Sequence, residues 1–171
     1  MLENSPTLRV RRQQQTGKSH GVIPACVDIV GFSTGVDALT DKVIACAIAV
    51  HRELGPGLLE SVYRDCLVCE LAFQNIEVER ERRVPIEYRG RRIRDDLKLD
   101  LVVERSLVIE VKAVERLHPV HQAQVITYLK LSGFPAGLLM NFNAASLRAG
   151  LKRLDHPDRY TRKPGASTEA E

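Results

Sequence analysis

The chain has no tryptophan, and aromatic residues make up only 5% of it, so its apolar periods are carried by aliphatic side chains. No apolar run approaches the roughly 20 residues that a membrane-spanning helix needs, which excludes a helical membrane protein. Arg9, Arg11 and Arg12 near the start are not followed by the apolar segment of a signal peptide, so export is not expected. No glycine-rich phosphate loop of the required spacing occurs, which argues against an ATP- or nucleotide-handling enzyme. Only one CxxC is present, Cys66 and Cys69, and it lies in a helical pattern without a second pair or a nearby pair of histidines. His118 and His121 form an HxxH that also lacks suitable partners. Neither makes a persuasive zinc site, and the four cysteines fit a reduced, cytoplasmic protein. There is no internal repeat.

What is present is ordinary for a single globular domain: 171 residues, 44% hydrophobic and 27% charged. A net charge of +3 and an isoelectric point near 8.7 permit nucleic-acid binding without arguing for it.

The organisation reads in three parts. Residues 1–39 carry Gln13-Gln14-Gln15, scattered Gly and Ser, and no sustained period apart from a short apolar patch from Val27 to Phe32; a mostly disordered leader is expected. Residues 40–154 form the expected domain, and residues 155–171 a polar, flexible tail. Within the domain, Thr40 reads as an N-cap for a helix from Asp41 to Leu54, with Val43, Ala47, Val50 and Leu54 at helical spacing. Gly55-Pro56-Gly57 stops it. A second helix is expected from Leu58 to Phe73, with Leu59, Val62, Leu67 and Leu71 as its apolar stripe and Glu60, Tyr63, Arg64 and Leu67 sharing a face. Glu77 to Ile93 reads as a strand, a turn at Arg89-Gly90 and the start of another strand. Its arginines are interleaved with Glu77, Glu79, Glu81 and Glu87, a pattern typical of a solvated mixed-charge edge, with a phosphate-facing patch as the alternative. Pro119 opens a third helix running to Leu131, which Gly133-Phe134-Pro135 ends. Ala136 to Phe142 reads as a buried strand, followed by a last short element from Leu147 to Leu154.

The chemistry concentrates in LKLDLVVERSLVIEVKA, Leu97 to Ala113. Alternation places Leu97, Leu99, Leu101 and Val103 on one strand face. After Glu104-Arg105-Ser106 it resumes with Leu107, Ile109, Val111 and Ala113 on one face and Val108, Glu110 and Lys112 on the other. Pairing Val103 with Leu107 makes a hairpin that sets Asp100 opposite Glu110, with Lys112 two residues further along. Like charges opposite one another destabilise a strand pair, and a divalent cation would remove the repulsion. The alternative is a sheet face whose charges simply point to water.

With these pieces placed, the chain resembles a known family. Gly57-Leu58-Leu59-Glu60-Ser61-Val62-Tyr63 matches the signature of the GxxExxY proteins, a branch of the PD-(D/E)XK nuclease superfamily. The resemblance extends from Thr40 to Arg153 and includes His51-Arg52-Glu53-Leu54-Gly55-Pro56-Gly57, Asp100, Glu110-Val111-Lys112, Gln124 with Tyr128-Leu129-Lys130, and Asn141-Phe142. It implies an α/β fold with a restriction-endonuclease-like αβββαβ core, its mixed central sheet flanked by helices, in agreement with the order read above. It implies that Asp100 and Glu110 bind metal, that Lys112 positions or activates the attacking water, that Glu60 reaches the same metal from the second helix, and that Gln124 lies beside the site. The carbonyl of Val111 is a further expected metal ligand. The expected cofactor is Mg²⁺, or Mn²⁺ in its place. The expected activity is phosphodiester hydrolysis in nucleic acid, DNA by analogy, and the alternative is a module on the same fold that holds nucleic acid or a protein without cutting. One departure is that Leu99 stands before Asp100 where the superfamily motif has proline.

Overall fold

The computed structural model describes residues 35–158, which lie within one compact unit. Helices α1 (Gly35–Leu54) and α2 (Glu60–Phe73) lead into strands β1 (Val78–Tyr88), β2 (Arg91–Val103) and β3 (Leu107–Lys112). Then come helix α3 (Pro119–Ser132), strand β4 (Ala136–Asn141), a 3₁₀ turn (Leu147–Gly150) and strand β5 (Leu151–Asp155). The sheet has five strands in the order β1-β2-β3-β4-β5. All neighbours are antiparallel except β3 and β4, which run parallel and are joined through α3. The fold is therefore α/β with a mixed sheet flanked by helices.

The two faces of the sheet bury two separate apolar layers. Val43, Ala47 and Val50 of α1 and Tyr63, Leu67 and Leu71 of α2 pack on Leu101, Val103, Leu107, Ile109, Val111, Leu138 and Met140. Val125, Tyr128 and Leu129 of α3 pack on Val84, Leu99, Val102, Val108 and Leu139. β3 and β4 are buried on both faces, as expected of strands at the centre of an α/β sheet.

The turn between β2 and β3 pairs Val103 with Leu107, as the alternation predicts. Glu104 and Arg105 both take left-handed backbone, with φ of 46° and 50°. That conformation costs non-glycine residues free energy, but it matches the twist of a tight hairpin. Two hydrogen bonds offset the cost: Glu104 N donates to the Glu77 carbonyl (3.0 Å), and the Glu104 carboxylate accepts the Glu77 N–H (2.8 Å).

The alternation expected for β2 does not hold along its whole length. Leu101 and Val103 join the α1/α2 layer, whereas Leu97 and Leu99 join the α3 layer. The face changes at Asp100. On the neighbouring strand β1 the paired residues run from Val78 to Arg80 and resume at Arg82. Between them Glu81 has φ of 49°, so its left-handed backbone interrupts the pleat opposite Asp100.

The helix expectations need smaller corrections. α1 begins at Gly35, so Thr40 is not its cap; it is buried inside the helix and its hydroxyl donates to the Val36 carbonyl (2.7 Å). Val36 and Leu39 pack against the core, extending the folded domain into the sequence assigned to the leader. The apolar patch from Val27 to Phe32 lies outside the described residues. On α2, Leu59 is 74% exposed and Val62 is also exposed, because the buried face is set by Tyr63, Leu67 and Leu71. Leu54 likewise ends exposed beyond the packed face of α1.

Tyr63 anchors the link between the two helices. Its ring stacks on Phe142 at 4.6 Å, and its hydroxyl donates to the Gly55 carbonyl (2.6 Å) while accepting the Leu58 N–H (3.1 Å). Gly57, at φ of 108°, lets the chain turn between these anchor points into α2. Tyr63→Phe should lower unfolding free energy by about 1–2 kcal/mol for two lost hydrogen bonds, and Tyr63→Ala by about 3–5 kcal/mol, read from urea titrations. A Phe variant as stable as the parent would show that the hydroxyl does not hold the loop.

Candidate active site

The site is built where β2 leaves β3. Hydrogen-bonded pairing of these strands ends at Leu101 opposite Ile109. The same register puts Asp100 opposite Glu110, one step further on. There the Asp100 side chain replaces the ladder: its Oδ2 accepts the backbone N–H of Val111 at 3.0 Å. A carboxylate that accepts a main-chain donor in this way is fixed relative to the strand, and here it is fixed beside Glu110.

Glu110 and Lys112 lie on the α3 side of β3, with Val108. Lys112 Nζ donates to Glu110 Oε1 at 2.6 Å. Glu110 is only 3% exposed. Burial, reinforced by the charge of Asp100, pushes its carboxyl up to about 7; the Lys112 bond and charge offset part of the rise, and Glu60 adds to it. Burial works against the Lys112 ammonium, but the Glu110 bond and charge, with Glu60 and Asp100 behind them, outweigh it and raise its pKa above the usual lysine value. Lys112 is therefore a stable cation at neutral pH.

Helix α2 reaches the same place from the other layer. Glu60 is its first residue, and its Oε1 accepts the N–H of Ala113 (3.1 Å), just past the end of β3. One turn later Arg64 Nη1 bonds Asp100 Oδ1 at 3.1 Å, and the pair is half-buried. Glu60 and Arg64 are four residues apart and share the helix face that Tyr63 and Leu67 pin to the core. The Arg64 Nε is buried without a hydrogen-bond partner, a cost that well-packed side chains seldom carry.

From α3, Gln124 Nε2 donates to the Tyr128 hydroxyl at 2.5 Å. Burial raises the Tyr128 pKa; the Gln124 bond opposes this, and the charge of Glu110 adds to the rise. Tyr128 therefore senses the charge of the carboxylates, and Gln124 is bonded to it. Asn141, at the end of β4, ties down the chain beyond β3 by accepting Val114 N–H (3.0 Å) and donating to Val114 O (2.8 Å).

Glu60, Asp100, Glu110 and Lys112 are thus gathered at one end of the sheet. Val111 is there through its backbone, and its side chain is buried in the α1/α2 layer. Arg64 and Tyr128 belong to the same cluster but were not assigned to it from sequence. Each stands four residues from an expected site residue, Glu60 or Gln124, and Tyr128 also lies within the stretch that carries the family resemblance. The HxxH closes the start of α3 instead of forming a metal site, with His118 N donating to His121 Nδ1 at 3.1 Å. Among the described residues no three His, Cys, Asp or Glu side chains already converge into a metal cage. Asp100 and Glu110 still fit a hard divalent cation, because both offer oxygen and the repulsion that raises the Glu110 carboxyl is what such a cation relieves.

A sequence model of the PD-(D/E)XK nuclease superfamily matches residues 37–154. The chain belongs to the PD-(D/E)XK nuclease superfamily. Its sheet and flanking helices are the superfamily's restriction-endonuclease-like fold. The match runs from within α1 to within β5 and so takes in nearly all of the described fold. Comparisons with curated proteins and with solved structures return no match.

The elevated Glu110 carboxyl has a consequence for stability. Its folded value of about 7 lies above its ordinary value of 4.5, so the folded protein holds the extra proton. The stabilisation is complete below the unfolded value and is lost as pH rises through about 7. In EDTA, urea midpoints should therefore fall between pH 5 and pH 8, and Glu110→Gln should flatten that fall. Equal slopes for parent and variant would mean that Glu110 does not titrate in this window.

Proposed function

We propose that the protein is a metal-dependent nuclease that hydrolyses phosphodiester bonds in nucleic acid, with DNA as its substrate, and that it belongs to the GxxExxY branch of its superfamily. The observation that carries this reading is the buried Glu110 carboxylate, bonded to Lys112 at 2.6 Å and raised by Asp100. The branch assignment is supported by the roles of its signature residues: Gly57 turns the chain, Glu60 reaches β3, and Tyr63 holds the loop.

Asp100, Glu110, the Val111 carbonyl and Glu60 would hold a Mg²⁺ or Mn²⁺ ion. When bound, such an ion polarises a phosphoryl oxygen and lowers the pKa of a bound water. Asp100 contributes a carboxylate already fixed by Val111 and Arg64. Lys112, held protonated by Glu110, orients the attacking water or donates to the charge that develops on the phosphate. Gln124 and Tyr128 keep the α3 side of the site polar and ordered. Among the described residues no helix is long and apolar enough to cross a membrane.

The arginine-rich hairpin contributes little to this reading. Arg82 pairs with Glu79 at 3.0 Å, Lys98 with Glu81 at 3.1 Å and Arg105 with Glu77 at 3.6 Å. Arg80 and Arg92 pair with Asp65 and Asp95. This supports a mixed-charge solvated edge over a phosphate-facing patch. One observation favours the second reading, a module that holds nucleic acid or a protein without cutting: Arg64 already engages an Asp100 oxygen that a metal would need.

Lys112 separates the two readings. In a nuclease its contribution falls mainly in the transition state. Lys112→Ala should bind DNA within severalfold of the parent yet cleave it roughly a hundredfold more slowly, the scale of one lost electrostatic contact. In a binding module the same change weakens affinity, lowers the salt slope by about one, and removes no cleavage. Metal-dependent cleavage unchanged by Lys112→Ala would contradict the assigned mechanism.

A further inference from the structure

Beside the acidic cluster, at the same end of the sheet, is a cavity of about 390 Å³ between the end of α1 and the chain that follows β4. His51, Arg52, Gly55 and Pro56 form one wall, and Ser146 and Arg148 form part of the other. Among the described residues no Asp or Glu lines it. Arg52 and Arg148 are exposed, and among the described residues neither has a hydrogen bond or an ion pair. In the β1–β2 hairpin, by contrast, Arg80, Arg82 and Arg92 are each paired with a carboxylate. Two uncompensated guanidinium groups at an acid-free cavity form a site for an anion.

The walls are held in place. His51 is only 8% exposed, and its Nε2 bonds the Ala144 carbonyl at 2.9 Å, tying α1 to the loop after β4. Gly150 lies so close to that loop that a Cβ there would sit 2.5 Å from the Asn141 carbonyl oxygen, which fixes the path of the 3₁₀ turn carrying Arg148. The cavity wall is also joined to the end of β3, the strand that carries Lys112. Tyr63 bonds the Gly55 carbonyl in its wall, stacks on Phe142 at 4.6 Å, and Phe142 N donates to the Lys112 carbonyl at 2.8 Å. A single packed layer, Tyr63 with Phe142, links the cavity wall to the backbone of Lys112.

We propose that this cavity is a second phosphate subsite, in which Arg52 and Arg148 hold a phosphate of the nucleic acid next to the one at Lys112. The proposal rests on the nuclease reading and adds to it the surface along which the strand runs. The volume lies in the range of small-molecule pockets, roughly 300–1,000 Å³, and leaves room for the sugar attached to the phosphate. The phosphate belongs either to an internal backbone position or to a strand end, and the two sources can be told apart.

The test measures binding by the full chain to a labelled duplex in EDTA, where cleavage is suppressed, by fluorescence anisotropy across a salt titration. The duplex is used with 5′-phosphate and with 5′-hydroxyl ends. The Arg52→Ala/Arg148→Ala protein is compared with Lys42→Ala/Lys152→Ala, which removes the same charge from exposed positions that do not line the cavity. Thermal melts of both confirm folding. The arginine variant should bind roughly tenfold more weakly, with a salt slope shallower by about two, and the lysine variant should stay within about twofold of the parent. Loss on both duplexes assigns an internal phosphate, and loss confined to the phosphorylated duplex assigns a strand end. Equal effects of the two double variants, or none from the arginine variant, would overturn the subsite while leaving the nuclease reading intact. A parent protein that binds neither duplex would overturn both.

Discussion

The Asp100 carboxylate on the backbone N–H of Val111 is the contact around which the site is arranged. It takes the place of a ladder bond where β2 and β3 separate. Without that separation Asp100 and Glu110 would be an ordinary cross-strand pair of like charges, which sheets disfavour. With it, Asp100 lies at the mouth of the gap and Glu110 stays buried in the sheet. The left-handed backbone at Glu81 is the counterpart of this on β1, since it lets β2 change faces at Asp100. Arg64 then anchors the displaced carboxylate from α2.

The rest of the fold brings three further elements to that gap. Tyr63 and Phe142 lock the start of α2 over the end of β4, so Glu60 lands on Ala113. Asn141 clamps the chain leaving β3 through both polar groups of Val114. α3 supplies Tyr128 and Gln124 from the opposite layer. The net electrostatic result is a buried carboxyl near neutrality next to a stabilised ammonium. Both groups are shifted upward, and strongly perturbed titratable groups of this kind cluster at functional sites.

Much of this was legible in the sequence. The order of helices and strands follows from apolar period and from Gly-Pro punctuation. The Val103–Leu107 hairpin follows from two apolar runs separated by three polar residues, and the placement of Asp100 against Glu110 follows from that register. What the period could not reveal was the change of face at Asp100, which coincides with the left-handed backbone of Glu81 on the adjacent strand. Alternation within β2 alone put Leu99 and Leu101 on the same side. The α2 stripe was misread for a similar reason: Leu59 and Val62 are as apolar as Leu67, and only packing around Tyr63 decides which of them is buried. Arg64 and Tyr128 shared a helix face with expected site residues, but a shared face does not say whether the partner is solvent or an acid across the sheet.

We propose that Asp100 and Glu110 together form one divalent-cation site. Calorimetric titration of the metal-free protein with Mn²⁺ tests it most directly, because the readout is binding and does not depend on finding the substrate. Mn²⁺ should bind specifically to the parent, and that binding should disappear in both Asp100→Ala and Glu110→Ala. Mn²⁺ binding that persists unchanged in Asp100→Ala would place the metal elsewhere and contradict the account.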